Sequence, residues 1–166
     1  MYWSMPLQIG TFTDEEYRTM SEPHIYRTHV QWSTQRKGKL GSPGLPSIEI
    51  ATPIQFPGGH ADIWSPEHLY VAAAEICLMT TFLSLAEKMK LDFSDYTSQA
   101  QGVLEKTDAG LQMTKIVIKP RIVINHDEDP EKAHAVIMKA EKYCLISNSM
   151  KTEVTIEAEV VPRVSR

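Results

Sequence analysis

The chain has 166 residues, 42% of them hydrophobic and 23% charged, and a formal net charge of −4. This length suits one domain with a sizeable apolar core. The acidic balance excludes nucleic acid and anionic membrane surfaces as expected partners, because both select a concentrated basic surface.

Residues 1–24 are mixed in character and are interpreted as an N-terminal extension ahead of a single domain at residues 25–166. A short helix around Thr13 to Met20 is one alternative for part of it. The segment has no basic region followed by an apolar run, so it does not resemble a secretory signal. We therefore expect a cytoplasmic, reducing location, where structural disulfides are rare.

Two short strands are predicted next. Residues 25–32 alternate, with Tyr26 and Trp32 on one face, and residues 47–52 alternate around two isoleucines. Between them, residues 38–46 hold three glycines and two prolines and are predicted to form a loop.

The strongest helix start lies at Ser65. This serine is a natural N-cap, Pro66 suits the first helical position, and Glu67 is an acid at the positive end of the helix dipole. The predicted helix runs to about Lys90. Its only charge between residues 69 and 86 is Glu75, so sheet, other helices or a second subunit must cover nearly every face. The run is short for a membrane span, and a buried core helix is favoured.

Residues 96–125 are predicted to form a long hairpin that turns at Thr107 to Gly110. Pro120 favours an edge position or a bend in its second strand. A second helix begins at Asp129 and places Cys144 on its buried face, and residues 154–160 form a closing strand. The order of strands, helix, hairpin, helix and strand is typical of an α+β fold.

The only two cysteines, Cys77 and Cys144, are too few for a four-thiolate zinc site, but they can form a redox pair if the fold joins them. The alternative is that both are inert core residues. A reactive thiol needs a nearby cation, and Arg36 and Lys37 are candidates among many.

Other chemistry is weakly indicated. The segments His60 to Asp62 and His126 to Asp129 contain metal-ligating side chains, but both are turn-rich, which favours a capping or solubility role. No phosphate-binding glycine loop or dinucleotide fingerprint occurs. We therefore expect no metal and no organic cofactor.

Three segments together resemble the OsmC/Ohr family, the osmotically induced and organic-hydroperoxide-resistance proteins. They are residues 65–69 (Ser-Pro-Glu-His-Leu), residues 72–77 (Ala-Ala-Ala-Glu-Ile-Cys) and residues 144–148 (Cys-Leu-Ile-Ser-Asn). The family has a Pro-Glu-x-Leu segment, a cysteine ten residues after that glutamate, and a second cysteine heading a Cys-Pro-x-Ser-Asn-like stretch. The resemblance covers residues 25–162.

The resemblance implies an intertwined homodimer, with long central helices wrapped by antiparallel sheets. It also implies a thiol peroxidase that reduces organic hydroperoxides. Cys77 would become a sulfenic acid, Cys144 would close a disulfide with it, and an external dithiol, in some relatives a lipoylated protein, would reduce that disulfide. Arg36 and Glu67 match the family's thiolate-activating pair.

Two features depart from the family pattern. Leu145 stands in place of the usual proline, and the N-terminal extension is longer than the family core needs. In addition, Glu67 lies about 15 Å along a straight helix from Cys77, so the implied site requires a helix break or a bridge through Arg36. Two alternatives stay open: a non-catalytic dimer that binds a small apolar ligand, and a redox sensor.

Overall fold

The computed structural model describes residues 23–125 and 129–164. The predicted extension, apart from its last two residues, and residues 126–128 of the second metal candidate lie outside this part. The strands are β1 (His29–Thr34), β2 (Lys37–Ser42), β3 (Leu45–Ala51), β4 (Phe93–Thr107), β5 (Gly110–Ile124), β6 (Glu153–Ile156) and β7 (Glu159–Pro162). The helices are α1 (Pro66–Lys88), α2 (Pro130–Tyr143) and α3 (Leu145–Ser149). The predicted α+β class is confirmed.

The predicted loop at residues 38–46 is wrong, because β2 occupies most of it. β2 is the middle strand of an antiparallel sheet in the order β1-β2-β3. Its glycines mark close approach of the neighbouring strand: a Cβ at Gly38 would lie 2.7 Å from the Gln31 carbonyl oxygen, and one at Gly41 would lie 2.6 Å from the His29 ring. The glycine-rich composition of this segment is typical of a loop, although the segment is a strand that pairs with a neighbour on each side.

The predicted hairpin is confirmed as β4 and β5, which pair from Phe93 with Ile124 to Thr107 with Gly110. Gly110 has φ +104, a left-handed conformation that favours glycine. β5 is a central strand, so the edge position considered for Pro120 is wrong. This proline instead lies in the gap between the parts of β5 that pair with β6 and with β7, where a missing N–H is tolerated.

The predicted closing strand is two strands. β6 and β7 both pair parallel with β5, so this sheet is mixed, unlike the antiparallel sheets that the resemblance implied. The reason is connectivity: α2 and α3 carry the chain back across the sheet before β6, and such a crossover returns a strand parallel to its predecessor.

Helix α1 forms the centre of the core. Ser65 caps it in a reciprocal arrangement with His68, whose N–H donates to the serine Oγ and whose Nδ1 accepts from the serine N–H. Phe82 is fully buried between the rings of Phe93 and Tyr96. By length and composition α1 could also cross a membrane. Its buried face instead packs on β5 and α2 with a set of apolar residues: Ala74, Leu78, Ala86, Ile116, Ile118, Ile122, Val136, Ile137.

Large apolar surfaces stay uncovered in the part of the chain that the structure describes. The core cluster draws only on residues 70–160, so the sheet β1-β2-β3 contributes nothing to it. Every residue of β1 is exposed, and Trp32 retains 72% of its surface. On α1, Ile76 and Leu83 are exposed opposite the core face. Residues 23–125 and 129–164 therefore cover α1 only in part, and the expectation allowed a second subunit to cover the rest.

Candidate functional site

The fold brings the two cysteines together. Cys77 lies on α1, and Cys144 lies between α2 and α3, where it ends one helix and begins the next. The Sγ atom of Cys144 is 3.9 Å from the Ala74 carbonyl oxygen, one turn before Cys77. Both are free thiols and both are buried, with 8% of Cys77 and 1% of Cys144 exposed. The predicted burial of Cys144 is confirmed, although it follows the helix and does not belong to it.

The environment of Cys144 favours its neutral thiol form. Burial raises its pKa above the ordinary value, because the charged form loses its hydration. The Ser147 hydroxyl, 3.1 Å from the sulfur, opposes that rise, and the adjoining Cys77 side chain adds to it. Cys144 is therefore held as a hydrogen-bonded thiol beside Cys77.

Sequence reasoning did not assign Ser147 a role, because its surroundings lack the pattern of a nucleophilic serine. The available signal was its position three residues after Cys144 at a helix start, a spacing that brings side chains into contact. The Thr80 hydroxyl lies 3.1 Å from the carbonyl oxygens of Ile76 and Cys77, so it donates to the helix backbone.

Arg36 is positioned by the tight turn between β1 and β2. Gln35 has φ +49 there, and its carbonyl accepts a hydrogen bond from the Trp32 indole at 2.8 Å. The Arg36 carbonyl accepts from the Thr52 N–H at 3.1 Å. The guanidinium group passes over Gly58, where an added Cβ would lie 3.0 Å from Nε. Arg36 therefore lies in the turn after the first strand, near Gly58.

Glu67 lies across a shared cleft from Arg36. The cleft measures about 380 Å³ and is walled mainly by the chain around Thr52, Pro53 and Phe56. The Glu67 Oε2 atom is buried, and within the described part of the chain it has no hydrogen-bond partner. No ion pair joins Glu67 to Arg36 among residues 23–125 and 129–164. A buried carboxylate oxygen without a partner is available to an incoming donor.

The two pairs of candidate residues lie apart within one chain. Helix α1 is continuous over 23 residues. Ten residues of it separate Glu67 from Cys77, which corresponds to about 15 Å along the axis. The helix break that the resemblance required is therefore absent, and Arg36 lies at the Glu67 end. In one chain, the cleft with Arg36 and Glu67 and the pair of cysteines are therefore separate, and each holds half of the residues of the implied site.

The first metal candidate does not form a cluster. Across residues 23–125 and 129–164, no three His, Cys, Asp or Glu side chains converge on a metal-sized position. His60 is tied to its own loop, with its N–H donating to the Thr52 carbonyl at 2.9 Å. Its Nε2 atom is buried and has no partner in this part of the chain.

Comparison with known proteins assigns the chain to a family. Residues 59–159 match the OsmC family, described as OsmC-like proteins, a range that includes Glu67 and both cysteines. Among curated proteins, the uncharacterised protein YmaD of Bacillus subtilis is 27% identical over 146 residues, which cover 84% of this chain and 95% of that protein.

Solved structures share the fold. An OsmC-like protein of unknown function from Vibrio cholerae superposes with a TM-score of 0.75 at 26% identity, covering 82% of this chain and 99% of that one. An organic hydroperoxide resistance protein of Elizabethkingia anophelis gives 0.69 at 20% identity, over 87% and 100%. One from Legionella pneumophila gives 0.62 at 23%, over 84% and 99%. With the sequence match over residues 59–159, these likenesses establish that the chain belongs to the family of OsmC-like proteins.

Proposed function

We propose that the protein is a homodimeric thiol peroxidase that reduces organic hydroperoxides with Cys77 and Cys144. The observation that carries this proposal is the meeting of two free, buried thiols from positions with 66 residues between them in the sequence. The names of the Elizabethkingia and Legionella proteins support the same chemistry. A reducing cytoplasm would keep both thiols free between turnovers.

The reaction balances with these two sulfurs and an external dithiol. The Cys77 thiolate attacks the peroxide oxygen distal to carbon, the O–O bond breaks, and the alkoxide leaves as an alcohol after taking a proton. Cys77 is then a sulfenic acid. The Cys144 thiol attacks it, water leaves, and a disulfide forms. A dithiol reduces that disulfide and becomes oxidised itself, which restores both thiols.

Three uncovered surfaces support the homodimer. The first is the exposed face of α1 around Ile76 and Leu83, and the second is the sheet β1-β2-β3, which has no core of its own. The third is strand β4, whose 15 residues form an edge with no strand on its outer side in the described chain. A long free edge and bare apolar faces are features that a second subunit covers.

We further propose that each active site draws on both subunits. Arg36 and Glu67 of one subunit would face Cys77 of the other, since within a single chain they lie about 15 Å away along a continuous helix. An arginine fork held by Glu67 would stabilise the Cys77 thiolate and the departing alkoxide. The partnerless Oε2 of Glu67 is consistent with an orienting role.

The direct test adds one equivalent of cumene hydroperoxide to the reduced protein and follows free thiols and intact mass. The expected result is rapid loss of both thiols with a mass decrease of two hydrogens. In Cys144→Ser, Cys77 should stop at the sulfenic acid, a mass increase of one oxygen. Unchanged thiols in the wild-type protein after many minutes would overturn the peroxidase assignment.

A mixed-dimer experiment tests the shared site. Arg36→Gln and Cys77→Ser homodimers should both be inactive. In a mixed dimer, one site then carries both substitutions and the other carries neither. Random subunit exchange makes about half of the dimers mixed, so about a quarter of wild-type activity should return. If each site lay within one subunit, no activity would return.

A non-catalytic ligand-binding dimer is the second candidate, favoured by the burial of both thiols. The two functions differ in thiol accessibility. In a peroxidase, Cys77 should react with a small alkylating agent in the folded protein. In a binder, both thiols should react only after denaturation.

A further inference from the structure

A second cavity lies on a different face of α1 from the cysteines. It measures about 550 Å³ and is enclosed by α1, by the hairpin β4–β5 and by the segment that leads into α1. Neither cysteine lines it. Ala72 on α1 and Ala100 on β4 are small residues that leave the space open, whereas the missing side chain of Gly102 admits the Val71 and Met113 side chains, which an added Cβ would meet.

The walls of this cavity are largely apolar. Phe56 and Trp64 contribute aromatic rings, and Val71, Leu104 and Met113 contribute aliphatic surface. Trp64 is held edge-on against His68, with ring centroids 6.1 Å apart. The volume lies within the range of small-molecule sites, which combine apolar walls with a few polar groups that fix orientation.

The charged lining groups are acidic. Glu67 and Glu75 line the cavity, and none of its described lining residues is a lysine or arginine. Glu75 is fixed: its Oε1 accepts a hydrogen bond of 2.6 Å from the Ser98 hydroxyl on β4. Its other oxygen makes no hydrogen bond to residues 23–125 or 129–164, so it can accept one from a ligand.

We propose that this cavity binds a small organic amine as its ammonium cation, with the ammonium group on Glu75 and the apolar body against Phe56 and Trp64. The choice of occupant follows from charge. A cation gains both a charge-assisted hydrogen bond to a carboxylate and attraction to aromatic faces. A carboxylate ligand would meet like charge without a compensating cation.

The inference places the ammonium group on Glu75 and uses none of Cys77, Cys144 or Arg36, but Glu67 and Phe56 line both this cavity and the cleft beside Arg36. It also assigns a role to the one charge on the apolar stretch of α1. A cationic partner would stabilise this half-buried carboxylate, since a charge shielded from water without a counter-charge is unfavourable.

Calorimetric titration of the full-length protein with three ligands of similar shape tests the proposal: 2-phenylethylamine, 2-phenylethanol and phenylacetate. The amine should bind at least about tenfold more tightly than the alcohol, a difference of about 1.4 kcal/mol, and phenylacetate should bind least. Equal affinities for the three, or no binding of any of them, would overturn the proposal.

Matched variants locate the binding. Glu75→Gln keeps an oxygen for Ser98 to donate to, so it should fold normally and reduce the preference for the amine to within about twofold. Glu87→Gln, on the exposed side of the same helix, should leave that preference unchanged. Ala100→Leu fills the cavity and should abolish binding of all three ligands. Amine binding that survives both Glu75→Gln and Ala100→Leu would place the amine elsewhere and refute the assignment.

Discussion

Replacing Ile76 by glutamate should separate the proposed dimer. Ile76 lies mid-way along α1 and is 56% exposed in the single chain. Full burial of an isoleucine contributes about 1.5–3 kcal/mol, so covering its remaining surface contributes about 1 kcal/mol. A glutamate at this position loses that stabilisation of the dimer. It also costs about a further 2 kcal/mol in the free energy of dimerisation, because its carboxylate would be buried without a hydrogen-bond partner.

Two-fold symmetry places the substitution twice in one interface, so the loss is about 6 kcal/mol per dimer, or roughly four orders of magnitude in Kd. Sedimentation velocity over a concentration series measures it, with circular dichroism to check folding. Met138→Glu is the matched control, because Met138 is 52% exposed on α2. The reasoning fails if Ile76→Glu dimerises as the wild type does, or if both variants weaken the dimer equally.

Three further predictions concern the surroundings of the cysteines and the core. Ser147→Ala removes the hydroxyl that lowers the pKa of Cys144, so disulfide closure should slow and its pH dependence should move to higher pH, as measured by stopped-flow loss of free thiols. The control is Ser149→Ala, which should leave the rate of disulfide closure unchanged, because the Ser149 hydroxyl donates to the Leu145 carbonyl. Leu145→Pro should raise the free energy of unfolding, measured in urea, by about 0.4–1 kcal/mol. Leu145 is the first residue of α3, where proline is tolerated, and Cys144 before it has the extended backbone (φ −67, ψ 99) that a following proline favours. Burial raises the pKa of Tyr96 to about 12, so the unfolded chain loses the phenol proton at a lower pH than the folded protein does. The free energy of unfolding should therefore fall between pH 10 and about 12, and it should fall less in Tyr96→Phe. An equal fall in both proteins would contradict this prediction.

Much of the fold could be predicted because its signals are local. The cap at Ser65 and Pro66 determines where α1 begins, through contacts within one turn. Gly110 determines the hairpin turn through its own φ angle. Three short segments, with Glu67 and Cys77 ten residues apart in the first two, together indicated the OsmC-like family.

The failures are all long-range. β2 has the composition of a loop, and it is a strand because β1 and β3 pair with it on both sides. The two strands after α3 run parallel to β5 because of the crossover, which no local periodicity reports. The proposed amine cavity could not be predicted for the same reason. In the sequence, Glu75 is one charge on an apolar helix, and only the fold brings it to Ser98 and to the small residues of β4.

The sequence by itself determined α1, the β4–β5 hairpin, the family and the identity of the two thiols, because caps, turns and spacings act within a few residues. Only the tertiary structure decided that Cys77 adjoins Cys144 while Arg36 and Glu67 lie near the N-terminal end of α1. It also decided which apolar side chains of the described residues stay exposed. The physical reason is that side-chain contacts across the core depend on how sheet and helices pack, and packing is a property of the whole chain.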